Sequence, residues 1–460
     1  MPLKRNTMRK WIYGLFFLAA LPAYSQPRLP ENYFWQKMDN GLEVVVIENN
    51  KVPLATIEMA VKNGAYTEGP EFSGLSHLFE HMFFKANKDY PDQEKFIRRT
   101  EELGMIWNGT TGEERVNYYF TFNNDSLGAG LKFMNAAMRF PIYRKEDMEK
   151  ENPVVDGEFQ RAESNPQFLL YFEVQKRTWG ELFTRKNPIG DHHIINTATP
   201  EKMMIIKDKY YYPNNSILVI CGDVKHDAAF QMARNIFGDW KNSGFDPIQK
   251  YPIPEFKPLT KSEYFITQNS IAATPYMMYQ WQGPDFRNDS AATIAADVFS
   301  TLVGLNSSKW QQALIDKGLA SYAGFQYQTL KYVGPVYAFV VPNPDKIKEC
   351  HEEIMKQVAE FSKSGYFTNE QIEDAKGILL RNQVRNTEKP SSLSMQLTYQ
   401  WCSTSLDYFT DLTKNYQKVS EADIRRYIDR YITGKPFVSG IIINEEMNKK
   451  YNPAAYFTQK

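Results

Sequence analysis

The chain has 460 residues, with 54 basic and 54 acidic side chains and therefore no formal net charge. This balance gives no support to a protein that binds nucleic acid or an anionic membrane surface, because both would favour a basic excess. The length exceeds that of one ordinary domain, so we expect two or more. Three cysteines without a Cys-x-x-Cys motif exclude a disulfide framework. We expect Cys221, Cys350 and Cys402 to be small buried residues, and one incidental pair among them stays open.

The first 25 residues have the pattern of a secretory signal peptide. Four basic residues between positions 4 and 10 precede an apolar run from Trp11 to Leu21, and small residues surround a cleavage point after Ser25. The apolar run is shorter than the ~20 residues that span a membrane, which favours a cleaved signal over the alternative, an uncleaved anchor. We therefore predict export to the periplasm or the medium, with the mature chain beginning near Gln26 and not inserted in the membrane.

A proline-rich segment divides the mature chain into two halves. Four prolines within residues 247–258 exclude a continuous helix or central strand, so we predict an extended linker over residues 245–260. The first half is residues 27–244 and the second half is residues 261–460. Alternating or β-branched runs predict strands at 42–47, 56–61, 116–123 and 216–221, and at 263–267, 276–281, 336–343 and 437–443. Helical segments fall in the same order between them, which indicates two duplicated α/β domains.

The chemically informative motif is His77-Leu78-Phe79-Glu80-His81. On a helix, His77 and His81 lie roughly 40° apart on one face with Glu80 between them, while Leu78 and Phe79 cover the rest. Neutral imidazoles four residues apart suit zinc, and a neighbouring carboxylate can take a proton from a water that zinc activates. The alternative is an amphipathic helix whose two histidines are merely buried and hydrogen-bonded.

A second acidic helix follows, in which Glu151 and Glu158 are two helical turns apart and share a face. Pro153 suits the first turn of a helix, so we predict that this helix begins near Glu151. With this spacing the chain resembles the M16 family of zinc peptidases, which includes pitrilysin, insulysin and mitochondrial processing peptidase. In that family the third zinc ligand is a glutamate seventy-odd residues after the second histidine, which corresponds to Glu158.

The resemblance covers essentially the whole mature chain. It implies an α+β fold of two homologous α/β domains of the LuxS/MPP-like metallohydrolase type, each a mixed sheet packed with helices. It also implies that His77, His81 and Glu158 bind Zn²⁺ and that Glu80 is the general base. Glu151 would orient a zinc ligand or the water without binding the metal. The second half has no histidine pair at the matching helix, which begins near Ser290, so only the first half can hold this metal.

The stretch Trp107-Asn108-Gly109-Thr110-Thr111 matches the place where M16 peptidases bind substrate along a strand. The resemblance therefore implies that Asn108, Gly109 and Thr110 contact an extended peptide through main-chain hydrogen bonds. Gly109 replaces the alanine of the family. From the residues alone, a polar turn leading into the next strand is an equal alternative.

One departure from the family concerns the second half. Active M16 peptidases usually supply an arginine and a tyrosine from this half, whereas the aligned positions here are Leu314 and Ser321. A one-residue shift would let Tyr322 serve, and Lys317, Arg381 or Arg385 could replace part of the charge. We hypothesise that the chain pairs with a related M16 subunit that carries the Arg/Tyr pair.

The sequence thus predicts an exported zinc endopeptidase acting on peptides or unfolded segments, as the catalytic subunit of a heterodimer. The alternative is a non-catalytic, zinc-stabilised scaffold or peptide-binding subunit. The adjacent pair His192-His193 is not expected to bind metal, because neighbouring side chains point in different directions.

Overall fold

The computed structural model describes residue 27 and residues 29–457 of the chain, so the predicted signal peptide lies outside the described residues. The strands are β1 (Tyr33–Lys37), β2 (Glu43–Glu48), β3 (Leu54–Val61), β4 (Ile106–Thr111), β5 (Val116–Asn123), β6 (Ser216–Gly222), β7 (Glu263–Gln268), β8 (Tyr276–Gln282), β9 (Ala320–Tyr327), β10 (Pro335–Pro342) and β11 (Val438–Ile443). All eight strands predicted from apolar patterns are present, β4 is the strand that the family resemblance implied, and β1 and β9 are additional.

The α-helices alternate with these strands. They are α1 (Leu75–Phe83), α2 (Gln93–Glu102), α3 (Leu127–Arg139), α4 (Lys145–Glu163), α5 (Pro166–Trp179), α6 (His192–Asn196), α7 (Pro200–Tyr210), α8 (His226–Phe237), α9 (Pro247–Lys250), α10 (Phe286–Val303), α11 (Lys309–Gln311), α12 (Ile347–Glu360), α13 (Asn369–Asn386), α14 (Pro390–Ser403), α15 (Leu406–Lys418), α16 (Glu421–Tyr431) and α17 (Glu445–Tyr451). None of the described helices combines the length and the apolar character that a membrane crossing requires.

The strands form two mixed sheets with the same topology. The first has the order β1-β2-β6-β3-β5-β4, and the second has the order β7-β11-β8-β10-β9. In the first sheet β2 and β6 are parallel, and in the second β7 and β11 are parallel; the remaining pairs are antiparallel. Apart from β1, each strand has a counterpart in the other sheet. The predicted α+β fold with two related mixed sheets is confirmed.

Each half places one helix on the sheet of the other half. Helix α14 packs on β3 and β6 of the first sheet, and α5 packs on β8 and β11 of the second. Alternate strand residues of the first sheet consequently face different cores: Val44 and Val46 belong to the core of the first half, whereas Val45 and Ile47 belong to the larger core that includes the second half. Strands buried on both faces read as continuous apolar runs, which explains why β2 and β6 do not alternate.

Two local expectations were wrong. The helix with Glu151 and Glu158 begins at Lys145, so Pro153 lies inside it rather than in its first turn. Pro153 is exposed, and the carbonyl of Glu149 that it leaves without a donor is on the exposed face as well, where water can satisfy it. The proline-rich segment is not extended throughout, because α9 occupies its beginning before an irregular stretch follows.

The cysteines behave as the sequence predicts. Cys221, Cys350 and Cys402 are buried, and no two of them form a disulfide. Burial raises the pKa of each thiol to about 12, which keeps the thiols neutral and unreactive at ordinary pH.

Candidate metal centre

Helix α1 begins where it does because a buried carboxylate caps it. The two oxygens of Glu68 accept the backbone N–H groups of Gly74 at 2.7 Å and Ser76 at 2.6 Å, which satisfies donors that no helical carbonyl can reach. Gly74 has a φ of +87°, and a Cβ there would lie 2.6 Å from the Cα of Gly190, so only glycine fits. Leu78 and the other apolar residues of α1 face the core, and His77 and His81 therefore share the opposite side.

His77, His81 and Glu158 come together as one cluster of candidate metal ligands, with one donor atom of each within 4.8 Å of the others. Oε2 of Glu158, on α4, lies 3.6 Å from Nε2 of His77 and 3.8 Å from Nε2 of His81. Two donors bound to zinc at about 2.1 Å with tetrahedral angles are roughly 3.4 Å apart. The two distances to Glu158 are therefore close to those expected between ligands of one zinc ion.

The two imidazoles have different environments. Burial, with the neighbouring His81 as a smaller cause, lowers the pKa of His77 to about 4, so His77 is neutral. Its Nδ1 is buried and has no hydrogen-bond partner among the described residues. Nδ1 of His81 lies 2.8 Å from Glu151, which also lies 2.5 Å from the ammonium of Lys85.

Glu151 directs His81 toward the cluster. Burial works to lower the pKa of His81, but the hydrogen bond to Glu151 and the nearby carboxylates outweigh it, and the pKa is raised. Burial works to raise the pKa of Glu151, but its bonds to His81 and Lys85 outweigh this and lower it. An ionised Glu151 accepts the Nδ1–H of His81, which leaves the Nε2 lone pair free to bind a metal.

Glu80 occupies a buried position between α1 and β4. One of its oxygens accepts the hydroxyl of Thr111 at 2.9 Å. Its carboxyl group lies against Gly109, where a Cβ would be 2.6 Å from Oε1 of Glu80. Burial raises the pKa of Glu80 to about 7, which suits a group that must accept and return a proton near neutral pH.

The structure places Asn108, Gly109 and Thr110 on β4. The strand interpretation of this stretch is therefore confirmed, and the alternative of a polar turn is wrong. This strand pairs with β5 on one side and is the outer strand of the first sheet, which leaves its other edge open to an added strand. The edge borders a cleft of about 460 Å³ that also contains the zinc-ligand cluster, Glu80 and Glu151. All described residues that line this cleft belong to the first half.

The remaining sequence candidates do not join the cluster. His192 stacks on Phe159 at 4.0 Å between ring centroids, with Nδ1 2.5 Å from Asp156. Leu314, where the family has an arginine, is fully buried in the core of the second half. Ser321 is on β9, and its hydroxyl donates to a backbone carbonyl of β10 at 3.3 Å.

Sequence reasoning missed three residues of the site. Thr111 could have been found, because the two-residue period of a strand places it on the same face as Gly109. Lys85 could also have been found, because it follows His81 by four residues and can therefore lie on the same side of the chain as that histidine. Glu68 has no signal, because its partners depend on how the loop before α1 folds back on the helix.

Comparisons with known proteins identify the family of this chain. The model of the insulinase family, peptidase family M16, matches residues 44–188, and the model of the M16 peptidase inactive domain matches residues 197–379. The zinc protease PqqE of Helicobacter pylori is 22% identical over 400 residues, which covers 86% of this chain and 89% of that protein. Human insulin-degrading enzyme is 23% identical over 242 residues, which covers 50% of this chain and 23% of that enzyme.

Solved structures show the same fold. The crystal structure of a protease from Helicobacter pylori superimposes with a TM-score of 0.81 at 21% identity, covering 91% of this chain and 100% of that one. The first half of the periplasmic protease PqqL from Escherichia coli gives a TM-score of 0.72 at 17% identity, covering 91% and 93%. With both M16 family models matching in succession, the chain belongs to the M16 family of peptidases.

Proposed function

We propose that this chain is an exported zinc-dependent endopeptidase that hydrolyses peptides or unfolded segments. The observation that carries the proposal is the convergence of His77, His81 and Glu158 beside Glu80 at an open strand edge. The relative PqqE of Helicobacter pylori is named a zinc protease, and two imidazoles with a carboxylate are a donor set that suits catalytic zinc.

In this proposal His77, His81 and Glu158 hold Zn²⁺, which supplies Lewis acidity to polarise a peptide carbonyl and to acidify water. Glu80 takes a proton from the attacking water and returns it to the leaving amine, a role that its pKa of about 7 suits. Glu151 holds His81 by its Nδ1–H. The open edge of β4 orients the substrate by pairing with its main chain, which favours extended peptides over folded proteins.

Glu80→Gln tests the central role, because it keeps the shape and an acceptor for Thr111 but removes the base. We expect zinc content to stay at one ion per chain and peptide hydrolysis to fall by about 10²- to 10⁴-fold. Glu149→Gln, on the exposed face of α4, is the matched control and should keep full activity. A Glu80→Gln protein with zinc and full activity would exclude Glu80 as the base.

A second candidate function is a zinc-stabilised scaffold or peptide-binding subunit without turnover. It is favoured by the match of residues 197–379 to the M16 inactive domain. Zinc removal separates the two functions. A peptidase loses hydrolysis with a chelator and regains it with Zn²⁺, whereas a scaffold changes only its melting temperature.

The proposal includes a heterodimer with a related M16 chain that supplies the missing Arg/Tyr pair. Two findings support it: Leu314 is fully buried, and the described residues lining the cleft all come from the first half. Lys317, Arg381 or Arg385 remain the alternative sources of positive charge from the chain itself. A closed pair should bury well over ~1,000 Å². Full peptidase activity from this chain as a monomer in sedimentation would refute the heterodimer.

Export and domain limits complete the proposal. The apolar run in the first 25 residues supports a signal peptide, and the relative PqqL of Escherichia coli is described as periplasmic. N-terminal sequencing of the mature protein should find Gln26. We place the zinc domain at residues 27–244 and the metal-free domain at 261–460, since the two sheets lie on either side of residues 245–260. Limited proteolysis in this segment would test the boundary.

A further inference from the structure

The turn between β4 and β5 carries three consecutive charged residues, of which two are buried and the third is nearly so. Glu113 and Glu114 expose 7% and 2% of their surface, and the Arg115 side chain exposes 12%. Charged residues in a hairpin turn ordinarily face water, since removing an ion from water is costly unless partners replace the lost hydrogen bonds. The partners of all three residues link this turn to the second half.

The two acidic residues hold the loop between β9 and β10. The carboxylate of Glu114 accepts two successive backbone N–H groups, those of Lys331 and Tyr332, each at 2.8 Å. Glu113 accepts the ammonium of Lys186 at 2.7 Å, and the same ammonium donates to a carbonyl of that loop at 2.7 Å. A carboxylate that accepts a pair of backbone N–H groups fixes the position of the loop against the turn.

Arg115 holds helix α14. Its guanidinium donates to the carbonyl of Met395 at 2.6 Å and to the hydroxyl of Thr398 at 2.8 Å. The fully buried Glu58 of β3 accepts the hydroxyls of Thr398 at 2.5 Å and Ser394 at 2.6 Å. Two charged residues of the first half are therefore bonded to one face of a helix from the second.

The strand residues next to this turn reach the candidate active site. Thr111, the last residue of β4, donates its hydroxyl to Glu80 at 2.9 Å. The preceding Thr110 donates its hydroxyl to Asn117 and accepts a longer bond of 3.4 Å from Arg115. Asn117 in turn donates to the buried carboxylate on β3 at 2.9 Å. Side-chain hydrogen bonds thus run from α14 to β4, and one more bond joins β4 to Glu80.

We infer that Glu113, Glu114 and Arg115, together the hairpin clamp, are positioning residues through which the metal-free half holds β4 and Glu80 in place for catalysis. This inference rests on the proposed peptidase function. The apolar contact of α14 with β3 and β6 already joins the halves, and buried ion pairs add little net stability. The role we assign to these bonds is therefore to fix the position of β4, since a displacement of about 1 Å can cost 10²-fold in rate.

The test uses the full chain with zinc and, where required for turnover, its partner subunit. Glu114→Gln removes one charge and one N–H acceptor, and Arg115→Met removes the guanidinium but keeps an unbranched apolar side chain. For both we expect unchanged zinc content, a kcat about 10- to 100-fold lower with a smaller change in KM, and faster hydrogen exchange over residues 106–117. Arg115→Lys, which retains the charge but not the fork, should recover part of the loss.

Gln280→Ala is the matched control. Gln280 of β8 exchanges two buried hydrogen bonds with Gln175 of α5, at 3.0 and 3.1 Å, in the equivalent contact between a sheet and the helix of the other half. Its loss should leave kcat within about twofold and the exchange of β4 unchanged, whatever its effect on melting.

Three outcomes separate the hypotheses. Wild-type kcat and wild-type β4 exchange in the clamp variants would overturn the clamp, as would an equal loss of kcat in Gln280→Ala. Faster β4 exchange in the variants of a protein that never hydrolyses peptide would keep the clamp and refute the peptidase proposal. If Arg115→Met does not fold, Glu114→Gln carries the same test.

Discussion

The two halves of this molecule share one sheet topology, but only one of them carries a candidate active site. Helix α1 of the first half and α10 of the second both bury an apolar face, which in α10 includes Ala295, Ala296 and Phe299. Beyond this face α1 presents two imidazoles and a carboxylate, whereas α10 has no histidine and its carboxylates, Asp289 and Asp297, are not at zinc-ligand spacing. The comparison shows that the fold requires only the buried face of this helix, so the chemistry can differ while the architecture stays the same.

The same comparison extends to the polar contacts between the halves. Glu58 of β3 and Gln280 of β8 lie on corresponding strands of the two sheets, and each bonds to the helix that packs on its sheet from the other half. The contact in the first half uses a carboxylate and a guanidinium, which bond to polar groups of α14, and it continues to β4, whereas the contact in the second half is a neutral amide pair. Four substitutions would break or sharpen this contrast.

The largest effect should come from His81→Ala, which makes α1 resemble α10 in its chemistry. We expect the loss of bound zinc and of measurable peptide hydrolysis with an unchanged circular dichroism spectrum, because His81 contributes to a cleft and not to the core. Metal analysis and a peptide assay measure both. His193→Ala, at an exposed position, should change neither. Retention of zinc at one ion per chain would show that the metal lies elsewhere.

Glu151→Gln should have the next largest effect. The amide still accepts the Nδ1–H of His81 but removes the charge that stabilises its orientation and that pairs with Lys85. We expect zinc affinity to fall by about 10- to 100-fold, measured by competition with a chelator. Glu149→Gln on the same helix is the control. Unaltered affinity would mean that the charge of Glu151 has no influence on the metal.

Glu58→Gln gives the first sheet an amide side chain like that of Gln280 in the second sheet. Burial raises the pKa of Glu58 from its ordinary value of 4.5, although Arg115 and three hydrogen-bond donors oppose this. The native state then binds the proton more tightly than the unfolded state. The stabilisation is complete below about pH 4.5 and is lost as the pH rises through the native pKa.

As the pH rises, the free energy of unfolding of the wild type should therefore fall relative to that of Glu58→Gln. The shift is about 1.4 kcal/mol for each unit by which the native pKa exceeds the unfolded one. Urea unfolding at pH 4.5, 6 and 8 measures it. A shift in the opposite direction would show that Arg115 keeps Glu58 ionised.

Gly109→Ala should have the smallest effect. The new Cβ would meet the carboxyl group of Glu80, which must move, so we expect kcat to fall about threefold to tenfold at unchanged zinc content. Gly128→Ala on α3 is the control, because the nearest atom to its Cβ is 3.9 Å away. Equal kcat values for both variants would mean that Glu80 has room to adjust.

The sequence by itself determined the features that depend on local spacing. His77, Glu80 and His81 share a face because five consecutive residues on a helix leave no other arrangement, and Glu151 and Glu158 are related in the same way. Strand patterns recurring in one order predicted both sheets, since each strand needs only its own apolar residues to be recognised. The absence of histidine from α10 is directly visible in the sequence.

Only the tertiary structure decided which distant groups meet. The partners of Glu68, Glu113, Glu114 and Arg115 lie on other elements, and the sequence shows these residues as ordinary surface charges. The exchange of α5 and α14 between the sheets is equally invisible, because an amphipathic helix specifies an apolar face but not the sheet that covers it. The position of Pro153 inside α4 was also decided by tertiary structure. The local preference of proline predicts the start of a helix, but the packing of helical residues on both sides of Pro153 outweighs that preference.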